Sequence, residues 1–160
     1  MTKNGIMDLD EILNYKSQGV QQDILGLTNG CFDLLHVGHV RYLREAKELV
    51  DQLIVAVNSD DSVAKLKGDN RPINPLTERM EVLAALESVD IVTSFEESTC
   101  DRVISKLRPD IYIKGGDYDP TTLPEWKTVQ QIGGEVKFIK PTSSKSTTQI
   151  IERILSSHHS

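Results

Sequence analysis

The sequence predicts an α/β fold: a Rossmann-like, doubly wound sheet of about five parallel strands with helices on both faces. Three observations predict it. Short apolar segments alternate with amphipathic segments five times along the chain. The apolar segments are mostly continuous, as expected for strands that are covered on both faces. No internal repeat or interdomain linker interrupts the pattern, so the 160 residues fit one domain.

The first elements surround a turn rich in glycine and histidine. A short amphipathic helix is predicted over residues 7–19, and a strand from Ile24 to Thr28 ends in a turn at Asn29–Gly30. The helix that follows starts near Val37. Its apolar face is predicted to contain Val40, Leu43, Ala46 and either Leu49 or Val50.

The central elements alternate in the same way. A continuously apolar strand from Leu53 to Val57 precedes a short helix that Ser59 or Asp60 caps. A loop rich in proline and glycine then leads to a helix over Thr77–Leu86 and to a strand over residues 89–95.

The last elements complete the pattern. A helix capped by Ser98 runs to Leu107, and a strand follows over residues 110–118. A helix from Leu123 to Ile132 stops at a pair of glycines, and a fifth strand covers residues 135–141. Ser146 or Thr147 caps the final helix. We expect an N-terminal helical extension over residues 1–20, a main domain over 21–155 and a tail over 156–160.

Composition excludes several classes of protein. Eighteen basic and twenty-four acidic residues give a net charge of -6, which argues against a general nucleic-acid binder. No apolar run approaches the ~20 residues of a membrane span, and no signal peptide is evident. Cys31 and Cys100 are predicted to be two free thiols. A cytoplasmic protein is therefore expected.

The segment from Thr28 to Val40 carries the most specific chemistry. It contains neither a dinucleotide-binding nor a P-loop motif. His36 and His39 lie three residues apart in the first turn of a helix, where free N–H groups and the helix dipole already favour an anion. Gly38 leaves room for a nucleotide. We predict a phosphate site; a metal site and a pair of ordinary surface histidines are the alternatives.

Two further strand-to-helix junctions fall at the same edge of the predicted sheet. Lys65, Lys67 and Arg71 are predicted to close over a polyphosphate, or else form a solvated charge run. Glycines after the fourth strand, in residues 113–118, and the hydroxyl groups of residues 146–148 favour phosphate binding through backbone N–H groups and a helix N-terminus. A plain helix cap is the alternative for residues 146–148.

These motifs resemble a known family. The segment GCFDLLHVGH resembles the HxGH signature of the cytidylyltransferase-like nucleotidyltransferases, and the resemblance extends from about Leu27 to Ile154. Together with NRPINPLTERMEVLAALESVD, KGGDY and STTQII, it resembles the bacterial heptose 1-phosphate adenylyltransferases. In many bacteria that activity is one half of a fused kinase–transferase. Because no sugar-kinase domain is present in this sequence, a stand-alone form is expected.

The resemblance implies a reaction and its site. A sugar 1-phosphate attacks the α-phosphorus of a nucleoside triphosphate, expected to be ATP with Mg²⁺, and pyrophosphate leaves. His36, His39 and Lys65 are expected to be catalytic, with no protein metal ligands. The expected nucleotide-binding residues are Thr28, Asn29, Gly30, Phe32, Gly38, Arg79, Gly115, Asp117, Ser146, Thr147 and Thr148. The expected substrate-binding residues are Asp33, Lys67, Arg71 and Lys114, with Asp33 positioning the acceptor or Mg²⁺.

One departure and two alternatives accompany the resemblance. Pro141 stands where the related glycerol-3-phosphate cytidylyltransferases carry an arginine, which Lys140 or Lys145 would replace. This departure favours the heptose branch over a cytidylyltransferase that acts on glycerol 3-phosphate. A nucleotide-binding regulator without activity is the other alternative. The resemblance also implies a homodimer, small-molecule substrates, and no nucleic-acid or membrane partner.

Overall fold

The computed structural model describes residues 5–19 and 23–158. The strands are β1 (Gly5–Ile6), β2 (Leu25–Gly30), β3 (Gln52–Asn58), β4 (Ile91–Phe95), β5 (Ile111–Gly115) and β6 (Glu135–Ile139). The helices are α1 (Leu9–Ser17), α2 (Val37–Glu48), α3 (Asp60–Lys67), α4 (Leu76–Ala84), α5 (Asp101–Leu107), α6 (Trp126–Gln131) and α7 (Thr147–Ser157). A short 3₁₀ helix covers Pro120–Thr122.

The strands form one parallel sheet in the order β1-β4-β3-β2-β5-β6. The chain winds outward from β2 through β3 to β4, and then returns to the other side of β2 for β5 and β6. The order therefore reverses between β2 and β5, and a crevice opens there beyond the carboxyl ends of the strands. The predicted α/β doubly wound fold is confirmed.

Helices cover both faces of the sheet, with a separate core on each. On what we call the α2 face, Leu43 of α2 and Leu83 of α4 pack against Val55 and the neighbouring strands. On the opposite face, called the α5 face, Ile12 of α1 and Ile104 of α5 pack with strand residues. The two sets of strand side chains alternate along the sequence because successive residues of a strand point to opposite faces.

Several boundaries differ from the predicted ones for local reasons. β2 continues through Asn29 and Gly30, where a turn was expected, because both pair with β3. α6 begins at Trp126 rather than Leu123, since Pro124 forces the residue before it into an extended conformation. α5 begins after Cys100, without a cap from Ser98.

The N-terminal segment belongs to the core. Asp8 and Glu11 form a capping box at the start of α1, which packs against α5. β1 adds a sixth strand beside β4; two residues are too few to give a strand signal in the sequence. Residues 5–17 are thus integrated with the main domain. Residues 1–4, 20–22 and 159–160, which fall in the expected extension, main domain and tail, lie outside the described residues.

The last helix, α7, extends through Ser157, into the expected tail, and buries none of its residues.

Cys31 and Cys100 are both free thiols. Within residues 5–19 and 23–158, no helix has both the length and the apolar character needed to cross a membrane.

Replacing Ile12 with alanine tests the integration of α1. The Ile12 side chain is fully buried on the α5 face. We expect Ile12→Ala to lower the free energy of unfolding by about 2–5 kcal/mol, measured by urea titration. Ile6→Ala is the matched control, because Ile6 is 51% exposed. Equal, small losses for the two variants would show that α1 is not part of the core.

Candidate active site

Two histidine side chains build the start of α2. His36 is the N-cap residue, and its Nδ1 accepts a hydrogen bond of 3.0 Å from the backbone N–H of Gly38. His39 reaches back, and its Nδ1 accepts a hydrogen bond of 3.2 Å from the backbone N–H of His36. The two imidazoles thus do the work that a serine and a glutamate perform in an ordinary capping box. Their ring centroids lie 4.0 Å apart.

This capping fixes the tautomer of both rings. A neutral imidazole carries one donor nitrogen and one acceptor nitrogen. Because both Nδ1 atoms accept backbone N–H groups, both Nε2 atoms of the neutral rings carry the proton. Each ring therefore offers an Nε2–H donor on the side away from the helix backbone. A pair of neighbouring donors suits the oxygen atoms of a phosphate chain.

The environment keeps both rings neutral. Burial, together with the neighbouring His36, lowers the pKa of His39 to about 4. Burial also lowers the pKa of His36, assisted by the positive charge of Lys145. Near neutral pH the site therefore presents hydrogen-bond donors on the imidazoles and places its positive charge on lysines.

The glycines of the motif make room for these rings. A Cβ on Gly38 would lie 2.8 Å from Cε1 of His36, so the missing side chain admits the capping imidazole. A Cβ on Gly30 would lie 2.9 Å from the Phe32 ring. Phe32 adopts a φ of 48° and is buried, with its ring centroid 5.5 Å from that of His39. The motif glycines thus serve the internal packing of the loop.

The imidazoles line a pocket between α2, the end of β5 and the segment before α7. We call it the histidine pocket; it is lined by His36, Gly38, His39, Tyr42, Glu45, Gly115, Ile139, Lys140, Pro141, Thr142, Ser143 and Lys145. It brings together the predicted His36, His39, Gly38 and Gly115. It also contains Lys140 and Lys145, the two lysines expected to replace the missing arginine.

The start of α7 is anchored beside this pocket. Ser146 caps α7 by accepting the N–H of Gln149, and the Thr147 hydroxyl donates to the backbone oxygen of Leu34. Arg41 of α2 donates to the backbone oxygen of Thr142. The predicted hydroxyl-rich helix start is therefore tied to the histidine loop, and Thr148 lies exposed in its first turn.

Asp33 holds a loop in place. Its buried carboxylate accepts hydrogen bonds from the backbone N–H groups of Ile73 and Asn74, at 2.9 Å, and from Nε of Arg71 at 2.8 Å. Burial alone would raise the pKa of Asp33, but these donors outweigh it and lower the pKa. A carboxylate occupied in this way clamps the loop over residues 71–74, whereas the sequence suggested a ligand for the acceptor or Mg²⁺.

Arg79 braces the edge of the sheet. Its guanidinium donates to the backbone oxygens of Cys31, Asn58 and Asn74 at 2.7, 2.8 and 3.0 Å. It also pairs with the carboxylate of Asp60 at 2.7 Å. Arg79 is only 2% exposed. The structure thus gives it a structural role that the sequence spacing did not reveal, and its contact with a nucleotide stays a prediction.

The remaining predicted cations are dispersed. Lys65 is exposed on α3 and lines a separate hollow with Glu96 and Glu97, so it does not reach the histidine pocket. Lys67 is also exposed, near enough to Cys31 to lower the pKa of its thiol, although burial raises that pKa overall. Asp117 forms an exposed ion pair of 3.5 Å with Lys140 at the rim of the histidine pocket.

Two polar links cross between β2 and β5, one on each face of the sheet. On the α2 face, the hydroxyl of Tyr42 donates to the backbone oxygen of Ile113 and contacts Thr28 Oγ1 at 2.7 Å. On the α5 face, the Asn29 side chain accepts from both Tyr112 and Lys114. Sequence reasoning missed both tyrosines; the polar pair at residues 28–29 in an otherwise apolar strand was the available signal.

Across the described ranges, no group of three or more His, Cys, Asp and Glu side chains is placed to hold a metal ion. The two histidine Nδ1 atoms already accept backbone N–H groups.

Comparison with known proteins identifies a family. The family described as "Cytidylyltransferase-like" matches residues 27–157. A solved lipopolysaccharide core biosynthesis protein from Thermoplasma volcanium is 30% identical, covers 77% of this chain and 99% of its own, and has a TM-score of 0.63. A pantoate-beta-alanine ligase from Francisella tularensis, at 15% identity and a TM-score of 0.59 over 91% of this chain and 75% of its own, shares the fold alone.

Curated relatives are more similar in sequence but longer. Bifunctional protein HldE of Shewanella amazonensis is 48% identical over 96% of this chain and 33% of its own length. Bifunctional protein HldE of Proteus mirabilis is 55% identical over 80% of this chain and 27% of its own length. The chain thus spans about a third or less of the curated relatives that it matches.

The tautomers and pKa values of the two histidines are directly measurable. We expect ¹⁵N NMR to show the Nε2–H form for His36 and His39 at neutral pH, and His39 to titrate at about 4. The unfolded chain takes up this proton near the ordinary value of 6.5, so His39 destabilises the fold progressively as pH falls from 6.5 to about 4. An Nδ1–H form, or a His39 pKa near 6.5, would contradict the capping arrangement.

The brace formed by Arg79 predicts a large loss of stability. Arg79→Leu leaves one buried and two partly buried backbone oxygens without their donor, and we expect it to lower the free energy of unfolding by about 3 kcal/mol or more in urea titrations. Arg102→Leu is the matched control, since the ion pair of Arg102 with Glu97 is exposed and should contribute about 1 kcal/mol or less. Similar losses for both variants would contradict the role of Arg79.

Proposed function

The chain belongs to the cytidylyltransferase-like family, and from this membership we propose that it is a nucleotidyltransferase that uses ATP and heptose 1-phosphate. The phosphate of the sugar attacks the α-phosphorus of ATP, and pyrophosphate leaves with ADP-heptose as the product. The identity of 48–55% to bifunctional HldE proteins supports this substrate over the glycerol phosphate alternative. The related lipopolysaccharide core biosynthesis protein points to the same type of sugar chemistry. No separate observation favours a regulator without activity.

The observation that carries the proposal is the pair of capped imidazoles in the histidine pocket. Their Nε2–H groups are held one helical turn apart, beside Lys145 and the N-terminus of α7. We assign to them the phosphate chain of ATP and the charge that develops on its α-phosphate. The substrate phosphate is itself the nucleophile, so catalysis requires positioning and charge stabilisation without a protein nucleophile.

The other residues of the site follow from their placement. Lys140, Lys145 and the start of α7, residues 146–148, supply positive charge and donors for the triphosphate. Gly115 and Asp117 lie at the rim, where the nucleoside would be bound. Lys114 is assigned to the acceptor phosphate. Mg²⁺ is proposed as part of the magnesium–ATP substrate, held by phosphate oxygens.

The setting of the enzyme is also part of the proposal. Its substrates are small phosphorylated metabolites, which favours a cytoplasmic protein that acts without nucleic acid or membrane. We propose a homodimer as well. The exposed Val82 of α4, 50% accessible, supports a subunit contact on that helix, whereas Met80 and Leu83 face the core.

Variants of His36 separate capping from catalysis. We expect His36→Ala to lower kcat by about 10²–10³-fold because a donor to the transition state is lost, and to lower the free energy of unfolding by about 1 kcal/mol because the cap is lost. His36→Asn keeps a good N-cap, so it should retain stability while losing the same activity. Pyrophosphate release with ATP and heptose 1-phosphate measures the activity.

The activity assays distinguish the alternative functions. Near-normal turnover in both variants would remove the imidazole from the reaction. Turnover of the wild-type protein with CTP and glycerol 3-phosphate, but not with ATP and heptose 1-phosphate, would contradict the proposed substrates. Absence of turnover with both pairs of substrates would contradict the proposal that the protein is an enzyme.

A further inference from the structure

Lys114 is a partly buried ammonium group without a carboxylate partner. It lies at the carboxyl end of β5, and in the ranges that the structure describes it takes part in no ion pair. Its Nζ donates to Oδ1 of Asn29 at 2.9 Å. The neutral amide oxygen and the Tyr112 ring, whose centroid lies 5.8 Å from Nζ, orient the ammonium, but neither carries a formal negative charge. A charge removed from water in this way favours binding of an anion.

A buried tyrosine shares the same amide oxygen. The hydroxyl of Tyr112 donates to Oδ1 of Asn29 at 2.8 Å, and Tyr112 is fully buried on the α5 face. Since an ammonium group has donors only, the atom of Asn29 that faces Lys114 must be the oxygen. This settles the orientation of the amide, and the Tyr112 hydroxyl can then only donate to it.

The surroundings of Tyr112 keep its hydroxyl protonated. Burial raises the pKa of Tyr112, and the nearby Cys100 and Glu125 raise it further. Glu125 is itself buried and accepts the backbone N–H of Cys100 at 3.2 Å. The Tyr112 hydroxyl therefore keeps its proton at neutral pH and acts as a hydrogen-bond donor.

This arrangement lies across the sheet from the histidine pocket. Tyr112 belongs to the core of the α5 face, whereas Ile113 belongs to that of the α2 face, where the imidazoles and Tyr42 lie. Asn29 and Lys114 follow Leu27 and Tyr112 by two residues, so they share the α5 face. Lys114 and the imidazoles therefore belong to opposite faces of the sheet, at the same carboxyl edge of the strands.

We infer that Tyr112, acting through Asn29, is a positioning residue that holds the Lys114 ammonium for the phosphate of the acceptor. The inference rests on the proposed function for the identity of that acceptor, a sugar phosphate. The inference goes beyond the proposed function because it gives the buried Tyr112, which lies outside the histidine motif, a part in the selection of the acceptor. Tyr112 itself does not touch the substrate.

Tyr112→Phe tests this role, because it removes the hydroxyl and retains the buried ring. We expect the KM for heptose 1-phosphate to rise about fivefold, as for the loss of one hydrogen bond, with the KM for ATP unchanged. In the Lys114→Met background the same substitution should have no further effect. Tyr15→Phe is the matched control; its hydroxyl accepts from Gln52 and lies outside the site, so its kinetics should match the wild type.

A second measurement does not depend on turnover. ¹⁵N NMR of lysine-labelled protein without substrates reports exchange of the Lys114 ammonium protons, and Lys114→Met identifies the signal. We expect Tyr112→Phe to accelerate this exchange, and Tyr15→Phe to leave it unchanged. An unchanged exchange rate in Tyr112→Phe would overturn the inference.

The kinetic outcomes are equally decisive. An equal rise in KM in the wild-type and Lys114→Met backgrounds, or a rise confined to ATP, would overturn the role of Tyr112. If the wild-type protein fails to use heptose 1-phosphate, the proposed function fails. The ammonium exchange then still decides whether Tyr112 holds Lys114.

Discussion

The geometry of the crevice depends on the buried guanidinium of Arg79. It joins the loop after β2, the end of β3 and the loop before α4, through the backbone oxygens of Cys31, Asn58 and Asn74. Burying a cation is costly unless its donors are satisfied, and the carbonyl oxygens and Asp60 meet that condition here. Asp33 adds a second clamp between the same two loops. The histidine motif therefore follows a loop fixed at both ends.

The helix that follows this loop uses functional side chains as its cap. Because His36 and His39 satisfy the first backbone N–H groups of α2, their rings cannot turn freely, and their Nε2–H donors point in a set direction. The same hydrogen bonds that stabilise the helix thus pre-orient the site. Pre-orientation of this kind avoids the cost of reorganising donors during the reaction. It also explains why Gly38 is required, since the His36 ring occupies the space of its side chain.

The alternation of side chains in β2 and β5 divides the crevice into two halves. Thr28 and Ile113 contribute to the half that contains the imidazoles, and Asn29 and Lys114 to the other half. Neighbouring residues of one strand therefore serve the two reactants that we propose, which meet beyond the carboxyl ends of the strands. A sheet that reverses its strand order at this point leaves the space for both.

The sequence by itself determined the alternation of strands and helices, the doubly wound sheet and the place of the histidine motif, because these depend on local periodicity and on short-range capping. Only the tertiary structure decided what the charged side chains do. Lys65 and Arg79 look alike in a sequence, yet one lies exposed near two glutamates and the other is buried among carbonyl oxygens. Asp33, Asn29 and Tyr112 likewise acquire their roles from partners more than thirty residues away. Such contacts are set by the packing of distant segments, on which the spacing of neighbouring residues carries no information.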